Sequence, residues 1–499
     1  MRVGDSELRC GSRAAATQAL GRPWSCDSFV VMPAASADGS MLLGKNSDRP
    51  VNETQPLRYL RSRLPSRGEH LQLAYVEIPD ACDTLAHVGA SPYWCWGHEL
   101  GLNERGVAIG NEALFTRDLA LNQQRARAGG SPEPGILGME LLRLGLERGR
   151  TAVEAVEVMS ALLERYGQWG AGVPGQSAAE GAYDNSYLIA DGREAWVLET
   201  TGRRWVAAKV RHSTWSLSNQ ATVRTDWDRA SDDLAEHAFK AGWWRPGEEA
   251  GRFDFAAAYT DPQVPLQISH IRLQRSRQLL REAVAGGRAD VAAAASVLRD
   301  HYEGTFLEGP YFNAARPDFM TLCMHSHPSG FTWGNTASSA IFVLPSDERP
   351  PYLWWAAATP CTSVYVPVFV DALGLPDTLG RFGSARATSF NPEQAPEDAP
   401  AAGSYWWTFQ RLLDVVKADA LGSAFNDRQP QVRDAFDRLE TAWRAELSGV
   451  VATAVGLRSR HGRDAGAEVL ATFTRHCVDE ALGAAHGLLE QLSRGGRGS

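Results

Sequence analysis

The sequence predicts an α+β protein in which layered β-sheets are covered by helices and followed by a helical C-terminal region. Short β-rich runs alternate with two helical blocks from Cys26 to about residue 370, whereas residues 404–499 are almost wholly at helical spacing. With 499 residues, of which 44% are hydrophobic, the chain is long enough to bury a large core.

Three groups of strands are predicted. The first is a hairpin within residues 24–50, in which SFVVM and SMLLG flank the turn ADG. The second is a meander over residues 186–210, where SYLIA, EAWVLET and RRWVAAKV are separated by turn residues. The third lies between residues 339 and 370, in SAIFVLP, YLWWAAA and SVYVPVFV.

Apolar residues at helical spacing predict helices over 135–167 and 265–301. The stretch 383–403, rich in Pro, Ala, Ser and Gly, predicts an exposed linker or loop, and the remaining chain predicts further helices.

Composition and charge exclude several classes of function. The net charge is −9 and no long Lys/Arg run occurs, which argues against nucleic acid as a partner. No apolar run is long enough to span a membrane, and residues 1–25 lack the apolar segment of a signal peptide. Seven cysteines, an odd number without a CxxC pair, favour a reducing compartment, and we expect a cytoplasmic protein.

The first hairpin carries the clearest candidate for chemistry. Cys26 opens its first strand, and Lys45, Asn46 and Asp48 end its second. A nearby cation or base promotes the thiolate form of a cysteine, so these residues suit a nucleophile. They suit a buried structural thiol beside a polar strand end equally well, and the residues alone leave both interpretations open.

A metal site is the rival catalytic hypothesis. Cys323, His325 and His327 alternate along the chain, so one strand would present all three side chains on one face. No CxxC or HExxH accompanies them, and core or loop histidines are the simpler interpretation. We therefore expect no metal and no cofactor.

Several separated segments together identify a family resemblance. The chain resembles the secernins, within the C69 dipeptidase group of N-terminal nucleophile hydrolases, over residues 26–370. The motifs that carry the resemblance, in the expected order, are CDSFVV, GKNSDRP, YWCWGHELGLNERGVAIGNEA, LLRLGLERG, NSYLIADGREAWVLET, WSLSNQ, LCMH and ATPCTSVYVPVF.

The resemblance implies a fold, a nucleophile and a maturation step. The fold would be an αββα sandwich, with two antiparallel sheets stacked between helices. The nucleophile, Cys26, would become the first residue of the mature chain, and its free α-amine would act as the base. Such an amine has a pKa of about 7.7–8.0, so much of it is neutral near pH 7. Residues 1–25 would be a leader or propeptide, unless the true start codon lies closer to Cys26.

The resemblance also assigns helper residues. Lys45 stands where related amidases have an Arg, Asp48 matches the acid that holds the α-amine, and Asn219 matches the oxyanion donor. Asn111 matches a second oxyanion position less closely. A further Arg of the site corresponds to Arg272 or Arg275; the resemblance does not choose between them, and Arg275 is taken as the working assignment.

These observations predict an N-terminal nucleophile hydrolase domain over 26–380, a linker or loop over 381–403 and a helical region over 404–499. The expected activity is a cysteine amidohydrolase or dipeptidase that cleaves small peptides through a Cys26 acyl-enzyme. An acyltransferase with the same machinery, or a non-catalytic regulatory protein of the secernin type, remain alternatives. A small peptide or amide would be the substrate, without nucleic acid or membrane partners, and we expect a homo-oligomer.

Overall fold

The computed structural model describes residues 25–495 except 66–67, 81, 246–251, 288, 309–311, 317–318, 333, 373 and 384–391. Residues 1–24 of the predicted leader, and the middle of the predicted linker, therefore lie outside the described residues. The strands are β1 Cys26–Val31, β2 Met41–Pro50, β3 Leu57–Leu60, β4 His70–Gln72, β5 Glu77–Pro79, β6 His87–Ala90, β7 Leu100–Asn103, β8 Ala108–Leu114, β9 Asp184–Ala190, β10 Ala195–Thr201, β11 Arg204–Lys209, β12 Thr214–Leu217, β13 Arg229–Ala230, β14 Gly334–Leu344, β15 Tyr352–Ala357 and β16 Val366–Phe369. The helices are α1 Arg117–Arg127, α2 Gly138–Arg148, α3 Ala152–Tyr166, α4 Leu234–Lys240, α5 Phe255–Tyr259, α6 Gln267–Ala285, α7 Val291–Leu298, α8 Asp377–Gly380, α9 Tyr405–Lys417, α10 Phe425–His461 and α11 Arg463–Gly495.

The strands form two large antiparallel sheets. One has six strands in the order β12-β1-β2-β14-β15-β16, and the other has eight in the order β13-β11-β10-β9-β8-β7-β6-β3. The predicted hairpin is β1 and β2, the meander is β9 to β11, and the third group is β14 to β16. All three predictions of strand groups are confirmed.

Alternation along the strands divides each sheet into two faces. In the eight-stranded sheet, Ile109 and Ile189 face α2 and α3, while their neighbours Ala108 and Leu188 face the other sheet. Helices α6 and α7 cover the opposite face of the six-stranded sheet, next to β12, β1, β2 and β14. The layers therefore run helix, sheet, sheet, helix, and the predicted α+β fold of two antiparallel sheets between helices is confirmed.

Short polar side chains begin the helices that flank the sheets. The side chain of Thr151 accepts a hydrogen bond from Glu154 N at the start of α3, and Asp290 accepts one from Ala293 N at the start of α7. Ser404 accepts one from Trp407 N and begins α9. The predicted helical segments 135–167 and 265–301 are confirmed as the pairs α2–α3 and α6–α7.

The C-terminal helices continue the same core. The Trp406 indole donates to Ala337 O at 2.7 Å, and Thr474 Oγ1 donates to Pro367 O at 3.0 Å. Glu440 on α10 accepts from Tyr365 N at 2.9 Å and is paired with Arg299. Helices α9 to α11 are thus fixed to strands β14 and β16, and no described helix combines the length and apolar character that a membrane span requires.

Candidate active site

Cys26 lies at the start of β1, in the interior between the two sheets. Its strand neighbour Ser28 pairs with Lys45 on β2, and the Lys45 side chain crosses to the eight-stranded sheet over Gly110. An added Cβ at Gly110 would stand 3.2 Å from Lys45 Cδ, so glycine gives this side chain its room. Because side chains alternate, Cys26 shares this inner face while Asp27 points to the helix side.

Two side chains hold the backbone of Cys26. Its N–H donates to Asn219 Oδ1 at 2.9 Å, and Arg272 Nη1 donates to its carbonyl oxygen at 3.1 Å. Arg272 Nη2 also donates to Asn219 Oδ1 at 2.7 Å, while Asn219 Nδ2 donates to Ala113 O at 2.9 Å. These contacts fix which end of the Asn219 amide faces the cysteine, because its oxygen meets two donors and its nitrogen meets a carbonyl.

Arg272 comes from the middle of α6 and is fully buried. Its third partner is the carboxylate of Asp27, on the helix-facing side of β1. Burial raises the pKa of Asp27 to about 7, although the neighbouring Arg272 charge works in the opposite direction. The Arg272 guanidinium therefore joins α6, β1 and the turn after β12 through one planar group with several donors.

Asp48 lies beside the residue that precedes Cys26. Its Oδ2 accepts from Ser25 Oγ at 2.5 Å, and its Oδ1 accepts from Thr336 Oγ1 at 2.7 Å. Ser25 Oγ is also 3.0 Å from Met324 Sδ. Burial raises the pKa of Asp48, while Arg272 and these hydrogen bonds act to lower it. The Asp48 carboxylate therefore accepts hydrogen bonds from Ser25 and Thr336.

Lys45 is the positive charge next to the Cys26 thiol. Its ammonium donates to Asn111 O, lies 3.7 Å from Glu112 Oε1 and is within hydrogen-bonding range of Cys26 Sγ. Burial acts to lower the Lys45 pKa, but Cys26 in its thiolate form, which exists only at high pH, together with the Glu112 and Glu99 carboxylates raises it above its ordinary value. For Cys26, burial raises the thiol pKa to about 12 even though Lys45 lowers it. The thiol is therefore protonated at neutral pH in this chain.

The side chains of two predicted site residues, Asn111 and Arg275, lie away from the Cys26 thiol. The Asn111 side chain interacts with Asn185, on the face of the eight-stranded sheet that α2 covers, and only the Asn111 carbonyl reaches Lys45. Strand alternation explains this, since the next residue, Glu112, faces inward. Arg275 pairs with Asp300 and Glu303 O, and the working assignment is corrected because Arg272 is the arginine at Cys26.

The structure also differs from the predicted set of metal ligands. His327 lies in an exposed turn, where its Nδ1 is 2.6 Å from Ser329 Oγ, because residues 321–330 do not form the strand that alternation required. Cys323 and His325 instead converge with His301 and Cys361, and all four are buried. His301 and Cys361 are distant in sequence, so spacing alone offered no signal for them.

A narrow cleft opens beside Asn219. Its walls are aromatic and aliphatic side chains, chiefly Phe115, Tyr259, Val264 and Leu266, and its open volume is about 10 Å³. The cleft is apolar at its sides and polar where it meets the Asn219 amide.

Comparison with known proteins identifies the family. The model of peptidase family C69 matches residues 25–265. The chain belongs to peptidase family C69. The match includes Cys26, Lys45, Asp48 and Asn219, whereas Arg272 and the four residues of the buried Cys/His group lie beyond it.

Two relatives of this C69 peptidase are named as dipeptidases. A dipeptidase of Bifidobacterium longum is 27% identical over 230 residues, which cover 43% of this chain and 40% of that protein. A probable dipeptidase of Salmonella dublin is 25% identical over 317 residues, which cover 57% of this chain and 68% of that protein. The aligned part thus spans about two fifths of the first relative and two thirds of the second.

Solved structures with a similar arrangement have low overall similarity. A mutant of the conjugated bile acid hydrolase from Clostridium perfringens has 13% identity and a TM-score of 0.35, over 66% of this chain and 88% of that chain. An N-acylethanolamine-hydrolyzing acid amidase ortholog of Caenorhabditis elegans has 14% identity and a TM-score of 0.30, over 64% and 94%. The architecture of the C69 peptidase is established by its own sheet topology.

Proposed function

We propose that this C69 peptidase is a cysteine amidohydrolase that cleaves small peptides, with dipeptides as the leading substrates, after its chain is cut before Cys26. The observation that carries the proposal is the pair of contacts at Cys26, whose N–H meets Asn219 while its carbonyl meets Arg272. The names of the two dipeptidase relatives support the choice of substrate.

The cut would create the base and free its partner together. In the unprocessed chain the nitrogen of Cys26 is an amide, which cannot accept a proton, and Asp48 is bonded to Ser25. Loss of Ser25 would leave an α-amine within reach of both Asn219 Oδ1 and the Asp48 carboxylate. An amine of pKa about 8 is neutral often enough at pH 7 to take the thiol proton.

The reaction would then proceed by acyl transfer to sulfur. The Cys26 thiol gives its proton to the α-amine, and the thiolate attacks the substrate carbonyl, whose π electrons move to oxygen. The tetrahedral intermediate collapses, the C–N bond breaks, and the leaving amine takes the proton from the α-ammonium. Water, deprotonated by the same amine, attacks the thioester and releases the second product together with the free thiol.

Asn219 would serve the oxyanion through its nitrogen. An amide nitrogen carries two hydrogens, and Ala113 O takes one of them. Arg272 would polarise the same amide through Oδ1, which makes the remaining N–H a stronger donor. Lys45 would favour the thiolate as a point charge, since an ammonium cannot form the two-pronged contact of a guanidinium.

A dipeptide panel analysed by mass spectrometry for free amino acids tests this proposal. We expect the full-length protein, once processed, to release both amino acids, and we expect iodoacetamide and Cys26→Ala each to abolish release. Cys477→Ser is the matched control, because it removes a buried thiol on α11 far along the chain. Release that persists in Cys26→Ala, or turnover only when an added amine accepts the acyl group, would contradict the hydrolase proposal.

A further inference from the structure

A second group of reactive side chains lies outside the Cys26 site. It consists of His301, which follows α7, Cys323 and His325 in the segment before β14, and Cys361 in the turn between β15 and β16. One ligand atom from each lies within 4.8 Å of all the others, and none of the four residues is more than 2% exposed. We propose that this group, the Cys/His cluster, is a structural zinc site with four protein ligands.

Three distances between ligand atoms of the cluster are close to those of a tetrahedral site. A metal with sulfur ligands near 2.3 Å and nitrogen ligands near 2.0 Å separates two nitrogens by about 3.3 Å and a sulfur from a nitrogen by about 3.5 Å. His301 Nε2 and His325 Nε2 are 3.2 Å apart. His325 Nε2 is 3.3 Å from Cys361 Sγ and 3.8 Å from Cys323 Sγ. The remaining pairs of ligand atoms all lie within 4.8 Å, so the four atoms converge closely enough for small shifts to bring them onto one metal ion.

A second observation comes from the far side of His301. Its Nδ1 is 2.7 Å from a carboxylate oxygen of Glu303. A carboxylate at this position accepts a hydrogen bond from Nδ1–H, which keeps the proton on Nδ1 and leaves the lone pair on Nε2, the atom that points into the cluster. Metal-binding histidines are oriented by such carboxylates, because the second hydrogen bond sets both tautomer and ring direction.

The ligand types select the metal and its role. Two thiolates and two neutral imidazoles are the set of structural zinc sites, and two thiolates neutralise a divalent cation so that it can be buried. Binding would release the two thiol protons to solvent. With four protein ligands and no exposed side, no coordination position remains for water or substrate, so the site would stabilise the fold.

The cluster is connected to the chain around the nucleophile. Met324 lies between the ligands Cys323 and His325, its N–H donates to Thr336 Oγ1 at 2.9 Å, and its sulfur contacts Ser25. Thr336 in turn donates to Asp48. A metal would thus fix the segment that packs behind residues 25 and 48, and it would do so whether or not the proposed peptidase activity is correct.

Metal content of the full-length protein, expressed with added zinc and purified without chelators, tests the site. We expect one zinc per chain, with X-ray absorption distances of two sulfur and two nitrogen ligands. Cobalt exchanged into the site should give thiolate charge-transfer bands and the visible bands of a tetrahedral ion. Substoichiometric metal in wild type, or absorption data with oxygen ligands only, would overturn the proposal.

Variants separate this cluster from other cysteines. Cys361→Ser should weaken the cobalt charge-transfer bands, because only the Cys323 thiolate remains, and the double variant Cys323→Ser/Cys361→Ser should lose them. Cys477→Ser, which changes another buried cysteine, should keep them with full zinc content. Full zinc content in the double variant would refute the assignment. If the variants do not fold, two measurements on the wild type test the zinc assignment: the cobalt spectra and a mass-spectrometric search for a Cys323–Cys361 disulfide. A disulfide without metal would also refute the assignment.

Discussion

The Cys26 site and the Cys/His cluster both bury cysteines, but their neighbours differ in kind. Cys26 lies beside the Lys45 ammonium, its N–H donates to the Asn219 amide oxygen, its carbonyl oxygen accepts from Arg272, and a cleft opens beside Asn219. Cys323 and Cys361 meet two imidazole nitrogens and are enclosed on every side. The difference indicates that a nucleophilic cysteine requires a neighbouring charge and a route for substrate, whereas metal binding requires four converging lone pairs.

The two regions also differ in how they are held. The contact between Cys26 and Asn219 is made by the Cys26 backbone nitrogen, so it depends on whether that nitrogen is an amide or an amine. The contacts of the Cys/His cluster are all between side chains, and they do not depend on a cut in the chain. The proposed cut before Cys26 would therefore change the contacts of the first region, whereas the second should form as soon as the chain folds.

Removal of the nucleophile should give the largest effect on turnover. Cys26→Ser keeps the shape of the side chain but replaces a good nucleophile by a poor one, so we expect a fall of about 10⁴-fold or more in kcat/KM. The measurement is dipeptide turnover by the folded variant, with Cys477→Ser as control. Turnover within about tenfold of wild type would remove the contrast between the two cysteine environments.

Loss of the Asn219 amide should have the next largest effect on turnover. Asn219→Ala removes the contact to Cys26 N and the proposed oxyanion donor, and one such donor contributes about 100- to 1,000-fold in kcat. We expect kcat to fall in a variant that still folds, with a lower melting temperature because Cys26 N–H and the buried Arg272 each lose an acceptor. A near-normal kcat would show that the Asn219 nitrogen faces no developing charge.

The two arginines of α6 offer a matched pair. Arg272→Lys cannot bond Asp27, Cys26 O and Asn219 at once, so we expect about a tenfold or larger loss in kcat/KM. Arg275→Lys should retain turnover and lower only stability, because its partners are Asp300 and Glu303 O. Equal losses in the two variants would contradict the correction from Arg275 to Arg272.

The pH dependence of Cys26 alkylation should distinguish unprocessed from processed chains. Burial raises the thiol pKa to about 12 in the unprocessed chain, so the neutral thiol is favoured and the rate should rise with each pH unit from about 7 to 10. A chain produced to begin at Cys26 should instead level off near pH 8, where its amine titrates. Identical pH profiles would mean that the amine has no part in forming the thiolate.

Loss of a ligand from the Cys/His cluster should have the smallest effect on turnover, but it should clearly lower the stability of the protein. Cys323→Ser removes one proposed zinc ligand, and we expect a lower melting temperature that added zinc no longer raises. Wild type should be destabilised by prolonged dialysis against a strong chelator and restored by zinc. A melting temperature that is the same in wild type before and after chelation would contradict a stabilising metal.

The sequence predicted the elements better than the contacts between them. The hairpin, the meander and the helix pairs follow from periodicity, because alternation and helical spacing are local properties. The choice between Arg272 and Arg275 could not follow, since two residues a single turn apart on α6 differ only by how that helix is rotated against β1. The face of Asn111 likewise depended on which side of β8 met the other sheet.

The Cys/His cluster was predictable only in part. Cys323 and His325 stand close in sequence, and their pairing was visible as a spacing. His301 and Cys361 come from separate elements that only the packing of α7 and the turn after β15 brings together. His327 was included on the assumption of a strand that the chain does not form, because a turn at residues 327–330 takes its place.

The N-terminal residue of active protein tests the central claim most directly. Intact mass and N-terminal sequencing of a preparation with measured dipeptide turnover should find Cys26 as the first residue, and Cys26→Ala should retain Met1–Ser25. The reason is that only a free α-amine can act as base beside its own thiol. A fully active preparation that still carries Met1–Ser25 would contradict the N-terminal nucleophile mechanism.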